Sequence, residues 1–506
     1  MLIKFRHTTM ATLKDDYWYD RSGIYYIRSN EEFKVFRDIV NKSVTKVGGI
    51  AKKTVKKANF SGETVYLCCD IDLGNEEWEP IAGNYDTYGF CGTFDGQGHR
   101  VKGLSITKNE TTGKSIGLFG VVGGTIKNLS VEGSINYSCT TRSDYGGTGG
   151  IVGTLYGGKV ENCQNYVNIY DSRNTPVVGG IVGLTYLETE INNCKNYGTI
   201  EARHTQSANN YYAGCGGIVG TTESKLTVSN SINYASIIGD SYMRGTGGIV
   251  GSAYLNKKSI LIQQCANKGG VQGTQSAGGI LGSAYGQSTY IYSTIKNSYN
   301  CGAIYAGGTV GGVIGSFIGG YKNTTSEIGY SSSAIQFCYN IGELTGGIVG
   351  GLAGTYTIQT EKSFYYKIEN SFNLGKLNKV TDSSIVGGVA GYITSGTFSG
   401  QYIYCDSALS SILYPNVYSE NPEEETQSFS YSRTNNGFID GLINYVKDIS
   451  IMASTAVFAT YTDTGYLGTG ETIGDAKWGS SWNFSTVWAV VEDINDGLPC
   501  LQHEIA

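Results

Sequence analysis

A glycine-rich phrase that recurs through the middle of the chain constrains the fold more than any other feature of the sequence. The phrase reads GGIVG at Gly149–Gly153, Gly179–Gly183, Gly216–Gly220, Gly247–Gly251 and Gly346–Gly350, with the variants GGILG at Gly278–Gly282, GGVIG at Gly311–Gly315 and GGVAG at Gly387–Gly391. A less regular copy, IGLFG, lies at Ile116–Gly120. The eight clear copies start 30 to 41 residues apart, and such self-similarity predicts a repeat architecture.

A second phrase follows seven of these copies. It occurs as NCQNY (Asn162–Tyr166), NCKNY (Asn193–Tyr197), NSINY (Asn230–Tyr234), QCANK (Gln264–Lys268), NSYNC (Asn297–Cys301), FCYNI (Phe337–Ile341) and NSFNL (Asn370–Leu374). A unit of this length cannot bury a core of its own, so each unit must stack on the next.

The composition of the units is that of strands and turns. The chain of 506 residues contains 73 Gly and 39 Tyr but only 5 Pro, and the GGIVG phrase is an apolar run bounded by glycines, which predicts one short buried strand. Stacking like on like gives parallel strands about 4.8 Å apart. We therefore predict an all-β fold, a parallel β-helix or solenoid of about eight to ten coils with small α-containing caps at both ends.

Two positions of the second phrase form columns when the units are aligned. The second position holds small residues: Cys163, Cys194, Ser231, Cys265, Ser298, Cys338 and Ser371. We predict an inward ladder of free thiols rather than disulfides or a metal site, because a buried free Cys behaves as a small hydrophobe. The fourth position is always Asn: Asn165, Asn196, Asn233, Asn267, Asn300, Asn340 and Asn373. Asn tolerates left-handed turns and its amide bonds to copies above and below, so we predict an internal Asn ladder at a coil corner.

The two ends of the chain differ from the repeats, which gives four predicted segments. Residues 1–20 form an N-terminal tail, 21–114 an N-terminal cap, 115–400 the solenoid and 401–506 a C-terminal cap. In the first cap, Ser29 and Glu32 form a capping box ahead of an apolar pattern, which predicts a helix over about Glu31–Asn41. In the second cap, the helical spacing of Phe438, Leu442, Tyr445 and Ile449 suggests another helix.

The order of motifs in the N-terminal cap resembles that of proteins with GLUG repeats. It comprises DIDL at Asp70–Leu73, WEPI at Trp78–Ile81, GTFDGQGH at Gly92–His99 and GLSI at Gly103–Ile106, followed by the GGIVG units; Trp482–Leu501 resembles the segment that closes such arrays. The resemblance implies a β-helix-like solenoid on bacterial surface or secreted proteins, often adhesin-like, with no shared enzyme activity. One departure is that Met1–Met10 lacks the apolar region of a secretion signal.

The repeats contain few of the acidic and histidine side chains that catalysis on glycans requires. Glycosidases use two facing carboxylates, and polysaccharide lyases a base and often a Ca²⁺ site. The segment Gly149–Gly400 contains only three Asp, at positions 171, 240 and 382, and residues 241–326 contain no acid. Asp95 with His99 is the best catalytic candidate, but a structural turn is the favoured interpretation, and His204 is expected in an exposed loop. We expect no enzyme activity, no cofactor and no metal.

A ligand-binding surface is easier to support. The third residue after the last Gly of the repeated phrase is Tyr156, Tyr186, Tyr254 or Tyr285 in four units, and aromatic rings are common contacts for sugars. A stacked, stabilising ladder is the favoured alternative for this column. Tyr211 and Tyr212, in a long insertion, are candidates for an exposed loop contact.

The sequence thus favours a non-enzymatic, extracellular or cell-surface protein that attaches to a glycan or a host or cell-surface protein. A phage virion structural or fibre protein, which as a fibre would be a homo-oligomer, is the alternative, and it explains the missing signal and the reduced Cys. A polysaccharide lyase or glycosidase is a weaker one. Lys and Arg total 37 against 43 Asp and Glu, which argues against nucleic-acid binding. The sequence contains no run of 18 apolar residues, so it predicts no transmembrane segment.

Overall fold

The computed structural model describes seventeen stretches of the chain. They are residues 23–41, 46–47, 50–51, 59–83, 89–140, 146–203, 213–240, 242–255, 258–286, 291–319, 331–358, 364–393, 396–406, 442–453, 459–468, 486–490 and 499–502. In these stretches the protein is a parallel β-solenoid of about nine coils, which confirms the predicted fold class.

Each coil contributes strands to three sheets, which we number 1 to 3. Sheet 2 has eight strands: Thr148–Gly149, Val177–Gly179, Gly214–Gly216, Gly245–Gly247, Ser276–Gly278, Thr309–Gly311, Ile348–Gly350 and Ile385–Gly387. Sheet 3 has nine strands: Phe119–Val122, Val152–Tyr156, Val182–Tyr186, Val219–Thr222, Val250–Tyr254, Leu281–Tyr285, Ile314–Gly319, Ala353–Ile358 and Ala390–Ile393.

Sheet 1 contains 29 strands, most of them in three parallel columns. The first column holds Ile24–Ile27, Thr64–Leu67, Thr93–Asp95, Thr125–Lys127, Lys159–Glu161, Thr189–Asn192, Leu226–Ser229, Lys258–Gln263, Ile291–Lys296, Ser331–Gln336, Phe364–Asn373 and Gly396–Asp406. The second holds Ile71–Asp72, Arg100–Glu110, Ser130–Cys139, Gln164–Arg173, Lys195–Asn196, Ile232–Asn233, Ala266–Asn267, Tyr299–Asn300 and Tyr339–Asn340. The third holds Ile200–Ala202, Ile237–Gly239, Val271–Gly273, Ile304–Ala306, Leu344–Gly346 and Leu377–Lys379.

The core is built from apolar residues in exact register from coil to coil. One interior column runs Val160, Ile191, Val228, Ile262, Ile295, Ile335 and Ile368, all fully buried or nearly so. A second column consists of the third residue of seven copies of the glycine-rich phrase, together with Leu352: Ile151, Ile181, Ile218, Ile249, Ile280, Val313, Leu352 and Val389. In the coil of Leu352 the predicted copy at Gly346–Gly350 was wrong by four residues, because Gly350, not Gly346, pairs in register with Gly311 and Gly387. Stacked identical positions explain why a short unit needs neighbours to bury its apolar side chains.

The glycine-rich phrase is not one short strand, and that prediction was wrong. In the second copy, Gly179 ends a strand of sheet 2, Gly180 and Ile181 turn the corner, and Val182 begins a strand of sheet 3. The glycines are needed where the backbones of two sheets approach closely. A Cβ atom on Gly179 would lie 2.0 Å from the Val182 carbonyl oxygen, a distance that no side chain tolerates.

An eleven-residue helix, Asn30–Val40, packs on the N-terminal end of the core, where the sequence predicted a helix over about Glu31–Asn41. The predicted capping box forms only in part, because the Glu32 carboxylate accepts a hydrogen bond from the Arg28 N–H and not from that of Ser29. The Ser29 hydroxyl accepts a hydrogen bond from the Glu32 N–H at 3.1 Å, which pairs one of the orphan donors of the first turn. Phe33 stacks on Trp78 at 5.5 Å between ring centroids, and Phe36 meets Phe94 at 5.8 Å. After this helix in the sequence, Lys46–Val47 and Ile50–Ala51 pair as a short antiparallel hairpin.

The C-terminal region extends sheet 1 with antiparallel strands, and the predicted second helix was wrong. Leu442–Ala453 is a strand that pairs antiparallel with Gly396–Asp406 and with Ala459–Gly468. Its Ile, Val and Tyr residues favour a strand, and the last parallel strand offers an unpaired edge, so pairing outweighs the helical spacing of a few apolar residues. Phe438 lies outside the described residues.

The last described segment returns to the outside of the solenoid. Trp488–Val490 and Pro499–Leu501 pair antiparallel, and the Gln502 N–H donates to the Val487 carbonyl oxygen at 2.8 Å. Leu501 is fully buried, in one apolar cluster with the stacked rings of Tyr339 and Phe372. Within the part of the chain that the structure describes, no helix has the length and apolarity to cross a bilayer.

Candidate functional site

The fourth-position asparagines form a continuous hydrogen-bonded ladder inside the solenoid. In the first six members the Nδ2 group donates to the Oδ1 atom of the next coil at 2.7–2.8 Å. In all seven it donates to the carbonyl oxygen two residues ahead in its own coil. The seven members are 0–2% exposed. Every buried amide is therefore paired, and the strip of surface on either side of the ladder is held rigid.

The sequence pattern linked the left-handed backbone conformation to the fourth position of the second phrase. The structure places this conformation at a different position of the phrase. The first position, not the fourth, has a positive φ, and so does Asn128, its equivalent one coil before the first phrase. The φ angles lie between 46° and 54° at Asn128, Asn162, Asn193, Asn230, Gln264, Asn297, Phe337 and Asn370. Asn accounts for six of these eight residues because it adopts the left-handed region more easily than other residues with a Cβ. This position makes the corner between the first and second columns of sheet 1.

The second-position residues point inward and behave alike. The thiols of Cys163, Cys194, Cys265 and Cys338 are buried and free, and the last two lie 3.3 Å from the carbonyl oxygen two residues earlier. The hydroxyl of Ser231 donates to its equivalent carbonyl at 2.8 Å. Cys and Ser replace one another in this column because either side chain contacts the same carbonyl in the same small space. Burial raises the pKa of both Cys265 and Cys338 to about 12.

The tyrosine column considered from the sequence lies at the ends of sheet 3 strands. Tyr156 pairs in register with Tyr186, and Tyr254 with Tyr285, with ring centroids 5.6 and 5.7 Å apart. Glu223 accepts a hydrogen bond from the Tyr186 hydroxyl at 3.0 Å. Tyr254 is 9% exposed and Tyr285 is 3% exposed, which leaves these two rings little surface for a ligand. Tyr211, Tyr212 and His204 lie outside the described residues.

The structure does not bring Asp95 and His99 together. The Asp95 carboxylate accepts from the Gln97 N–H and the Asn128 amide at 3.0 and 2.9 Å, and Lys127 lies 3.5 Å away. His99 instead contacts Asp70 at 3.0 Å. The Arg100 backbone N–H, and then His99, hold the pKa of Asp70 below its usual value. The DGQG segment is a turn at a coil corner, as predicted.

A buried ion pair accounts for another of the few acids in the repeats. Asp171 and Arg173 are 0% and 1% exposed, and the guanidinium Nε lies 3.0–3.1 Å from both carboxylate oxygens. Thr148 and the Gly146 carbonyl oxygen complete the pairing, and the guanidinium lies over the Tyr137 ring. The pair has no access to a substrate. Among the described residues, no three His, Cys, Asp or Glu side chains cluster as metal ligands.

A different set of tyrosines, which the sequence analysis missed, is partly exposed on the outer surface. These are the fifth-position residues Tyr166, Tyr197 and Tyr234, which we call the tyrosine stack. Their ring centroids are 4.7 and 4.8 Å apart and their planes lie within 5° of parallel. Tyr197 and Tyr234 are 37% and 38% exposed. The signal was present in the sequence, because three consecutive second phrases end in Tyr.

The stack presents its ring edges and hydroxyl groups, since each ring face is covered by a neighbour. The Arg100 guanidinium lies 5.5 Å from the ring centroid of Tyr166, and the Lys268 ammonium lies 5.7 Å from the ring centroid of Tyr234. A cationic side chain therefore packs on the ring at each end of the stack. Partial burial, and then the two neighbouring phenols, raise the pKa of Tyr197. The Tyr197 hydroxyl therefore stays protonated at neutral pH, and it can both donate and accept a hydrogen bond.

A polar groove adjoins the stack at the coil corner. We call it the corner groove; it has a volume of about 490 Å³ and is lined by Asp95, Gln97, Gly98, Asn128, Leu129, Ser130, Asn162 and Gln164. The Asn162 amide donates to the Asn128 amide oxygen at 3.0 Å. Gln164 joins the groove to the stack, because its Oε1 atom accepts from the Tyr166 hydroxyl at 2.8 Å.

Comparison with known proteins finds two partial likenesses. No protein-family model matches the chain. A protein of Evansella cellulosilytica, provisionally named a Gly-rich membrane protein, is 42% identical over 85 residues, which cover 15% of this chain and 9% of that protein. A crystal structure of a provisionally named immunoglobulin A1 protease from Bacteroides ovatus aligns over 95% of this chain and 92% of that chain, with 17% identity and a TM-score of 0.29.

Proposed function

We propose that this protein is a non-enzymatic attachment protein of the adhesin type, whose solenoid presents a binding face to a glycan or protein ligand outside the cell. The observation that carries the proposal is the tyrosine stack, three rings in register that remain partly exposed on the outer surface. Tyr is enriched at recognition surfaces because its ring supplies apolar contact and its hydroxyl supplies a hydrogen bond.

The rigidity of the face supports a binding role. Asn165, Asn196 and Asn233 lie directly before the three tyrosines, and their amides are bonded from coil to coil inside the solenoid. Tyr has only two side-chain torsions, so little conformational freedom is lost when such a ring contacts a ligand. A preorganised surface converts more of its contact energy into affinity.

Location outside the cell rests on two resemblances. The motif order of the N-terminal region is similar to that of GLUG-repeat proteins of bacterial surfaces, and the Evansella protein with a matching 85-residue segment is named a membrane protein. An attachment role also agrees with the partners of the candidate catalytic groups, since the carboxylates of Asp95 and Asp171 and the imidazole of His99 all make structural contacts.

The test is a glycan-array and host-cell binding screen with purified protein. A Tyr197→Ala, Tyr234→Ala double variant removes the exposed part of the stack. Tyr292→Ala is the matched control, because Tyr292 is 42% exposed on an outer strand away from the stack. We expect the double variant to lose binding while the control keeps it, with unchanged circular dichroism in both.

Binding that survives in the double variant would reject the stack as the contact. Failure of the unmodified protein to bind any glycan or cell would reject the attachment function and favour a structural role in a larger particle, such as a virion fibre.

A further inference from the structure

We propose that the corner groove is the primary subsite for a neutral, hydroxyl-rich sugar, and that the glycan chain continues from it along the tyrosine stack. This inference rests on the proposed attachment function and names its ligand class. The groove and the stack lie on successive coils, because the strands of Asp95, Lys127 and Glu161 pair in register and Tyr166 follows in the last of these coils.

The dimensions suit a short oligosaccharide. The groove crosses three coils, and the stack extends the same surface over two more, so the whole strip spans four intervals of about 4.8 Å, or roughly 19 Å. The corner groove itself has a volume of about 490 Å³, which lies within the range of small-molecule sites. An elongated strip that follows the solenoid axis fits a linear chain better than a compact ligand.

The chemistry of the lining selects for hydroxyl groups. Gln97, Asn128, Asn162 and Gln164 contribute side-chain amides and Ser130 a hydroxyl, and each of these groups both donates and accepts hydrogen bonds, as sugar hydroxyls do. Within the described residues, the Gln164 Nε2 group and the Ser130 hydroxyl make no hydrogen bond to the protein, so both are available to a ligand.

The charge of the groove lining gives no preference for an ionic ligand. Asp95 is the charged residue of the lining, and its carboxylate already accepts two hydrogen bonds and lies 3.5 Å from the Lys127 ammonium. No uncompensated charge among the described lining residues would favour a sulfated or sialylated sugar over a neutral one.

The backbone at this corner excludes an added peptide strand. Gly98, Asn128 and Asn162 donate their N–H groups to the next coil at 2.8–3.0 Å. A peptide that extends a sheet needs an unpaired strand edge, which this surface lacks. Recognition must therefore use side chains, which suits a sugar.

The groove is also preorganised. Asn128 donates to Asp95, Asn162 donates to Asn128, and Asn193 donates to Asn162, at 2.8–3.0 Å, so the amides of the corner are fixed before a ligand arrives. A fixed set of polar groups discriminates between sugars more sharply than mobile side chains do.

The experiment blocks the groove without disturbing the coil. Ser130→Gln places in the groove the same side chain that the register partner Gln164 already carries, so the fold tolerates it. Thr227→Gln is the matched control, a hydroxyl replaced by an amide on another strand of sheet 1. The probe is an array of neutral, sialylated and sulfated oligosaccharides, followed by titration calorimetry with the neutral oligosaccharide that binds most tightly.

We expect neutral oligosaccharides to bind, Ser130→Gln to weaken binding at least about tenfold, and Thr227→Gln to leave it unchanged. Unchanged affinity in Ser130→Gln, with binding lost in the Tyr197→Ala, Tyr234→Ala variant, would overturn the groove proposal and leave the attachment function standing. Binding restricted to acidic glycans, or to cells through a protein receptor, would also overturn it. No binding to any glycan or cell would overturn both.

Discussion

Gly217 packs directly against the side chain of Asn233 in the core of the solenoid. A Cβ atom on Gly217 would lie 2.5 Å from the Asn233 Cγ atom and 2.1 Å from the Gly248 carbonyl oxygen. The contact repeats in neighbouring coils, where Gly180 meets Asn196 and Gly248 meets Asn267. This contact explains why the two phrases of the repeat occur together: the second glycine leaves the space that the ladder asparagine of the same coil fills.

Gly217→Ala should therefore destabilise the protein strongly. The added methyl group meets backbone atoms that cannot move without separating two coils, so we expect a loss of about 3 kcal/mol or more. Thermal unfolding followed by circular dichroism measures the change. Gly270→Ala is the control, because the nearest atom to its added Cβ would be 3.8 Å away; it should be neutral or slightly stabilising. Equal melting temperatures in the two variants would contradict the packing argument.

Removal of one member of the Asn ladder should also be costly. Asn233 donates to the Ala235 carbonyl and to Asn267 and accepts from Asn196, each at 2.8 Å. Asn233→Ala leaves buried partners unsatisfied, which should cost about 3 kcal/mol in denaturant unfolding. Asn136→Ala, an exposed Asn in the same sheet, should cost about 0.5 kcal/mol or less. A small effect at both positions would mean that the ladder bonds contribute little.

The buried thiols should resist alkylation in the native protein. Burial raises the pKa of Cys265 and Cys338 to about 12, so almost none of either is thiolate near neutral pH. Iodoacetamide followed by peptide mass spectrometry should show both unmodified in the native protein and modified in denaturant. Cys68, which is exposed, serves as the reactive control. Rapid native labelling of Cys265 would show that the core opens.

The same burial sets the sign of one pH dependence. The folded state keeps these thiols protonated, while the unfolded chain releases their protons above its ordinary thiol pKa, about 9. The unfolded state then binds fewer protons than the folded state, so stability should fall as the pH rises above about 9 and be unaffected by these groups below it. Urea titrations across that range measure the slope, and a rise in stability with pH there would contradict the assignment.

Loss of Tyr285 should affect stability more than binding. Its ring is 3% exposed, lies 5.7 Å from the ring of Tyr254 and faces the Arg244 guanidinium at 5.4 Å. Tyr285→Ala should cost about 3 kcal/mol because it leaves a cavity, while the folded protein keeps its affinity for the ligand of the tyrosine stack. Tyr292→Ala should change stability by about 0.5 kcal/mol or less. Loss of binding by folded Tyr285→Ala would return the contact to the sheet 3 column.

Local signals in the sequence were enough where neighbouring residues decide the structure. Ser29 predicted the start of the helix because an N-cap hydroxyl acts within one turn, where it accepts a hydrogen bond from the Glu32 N–H. The spacing of Leu442, Tyr445 and Ile449 failed to predict the strand there, because an antiparallel partner far away in the sequence supplies the pairing. The same distinction applies to the site: the phrase that ends in Tyr is visible in the sequence, but its exposure is not.

The sequence by itself determined the stacking of the coils. A repeated unit too short to bury a core must place equal positions above one another, so the parallel register and the columns of Asn and of Cys with Ser follow from the repeat. Only the tertiary structure decided which columns remain exposed on the outer surface. The corners at Asn162 and its equivalents set the direction of each side chain, and distant segments such as that of Leu501 cover one part of the outer surface while Tyr197 and Tyr234 remain exposed.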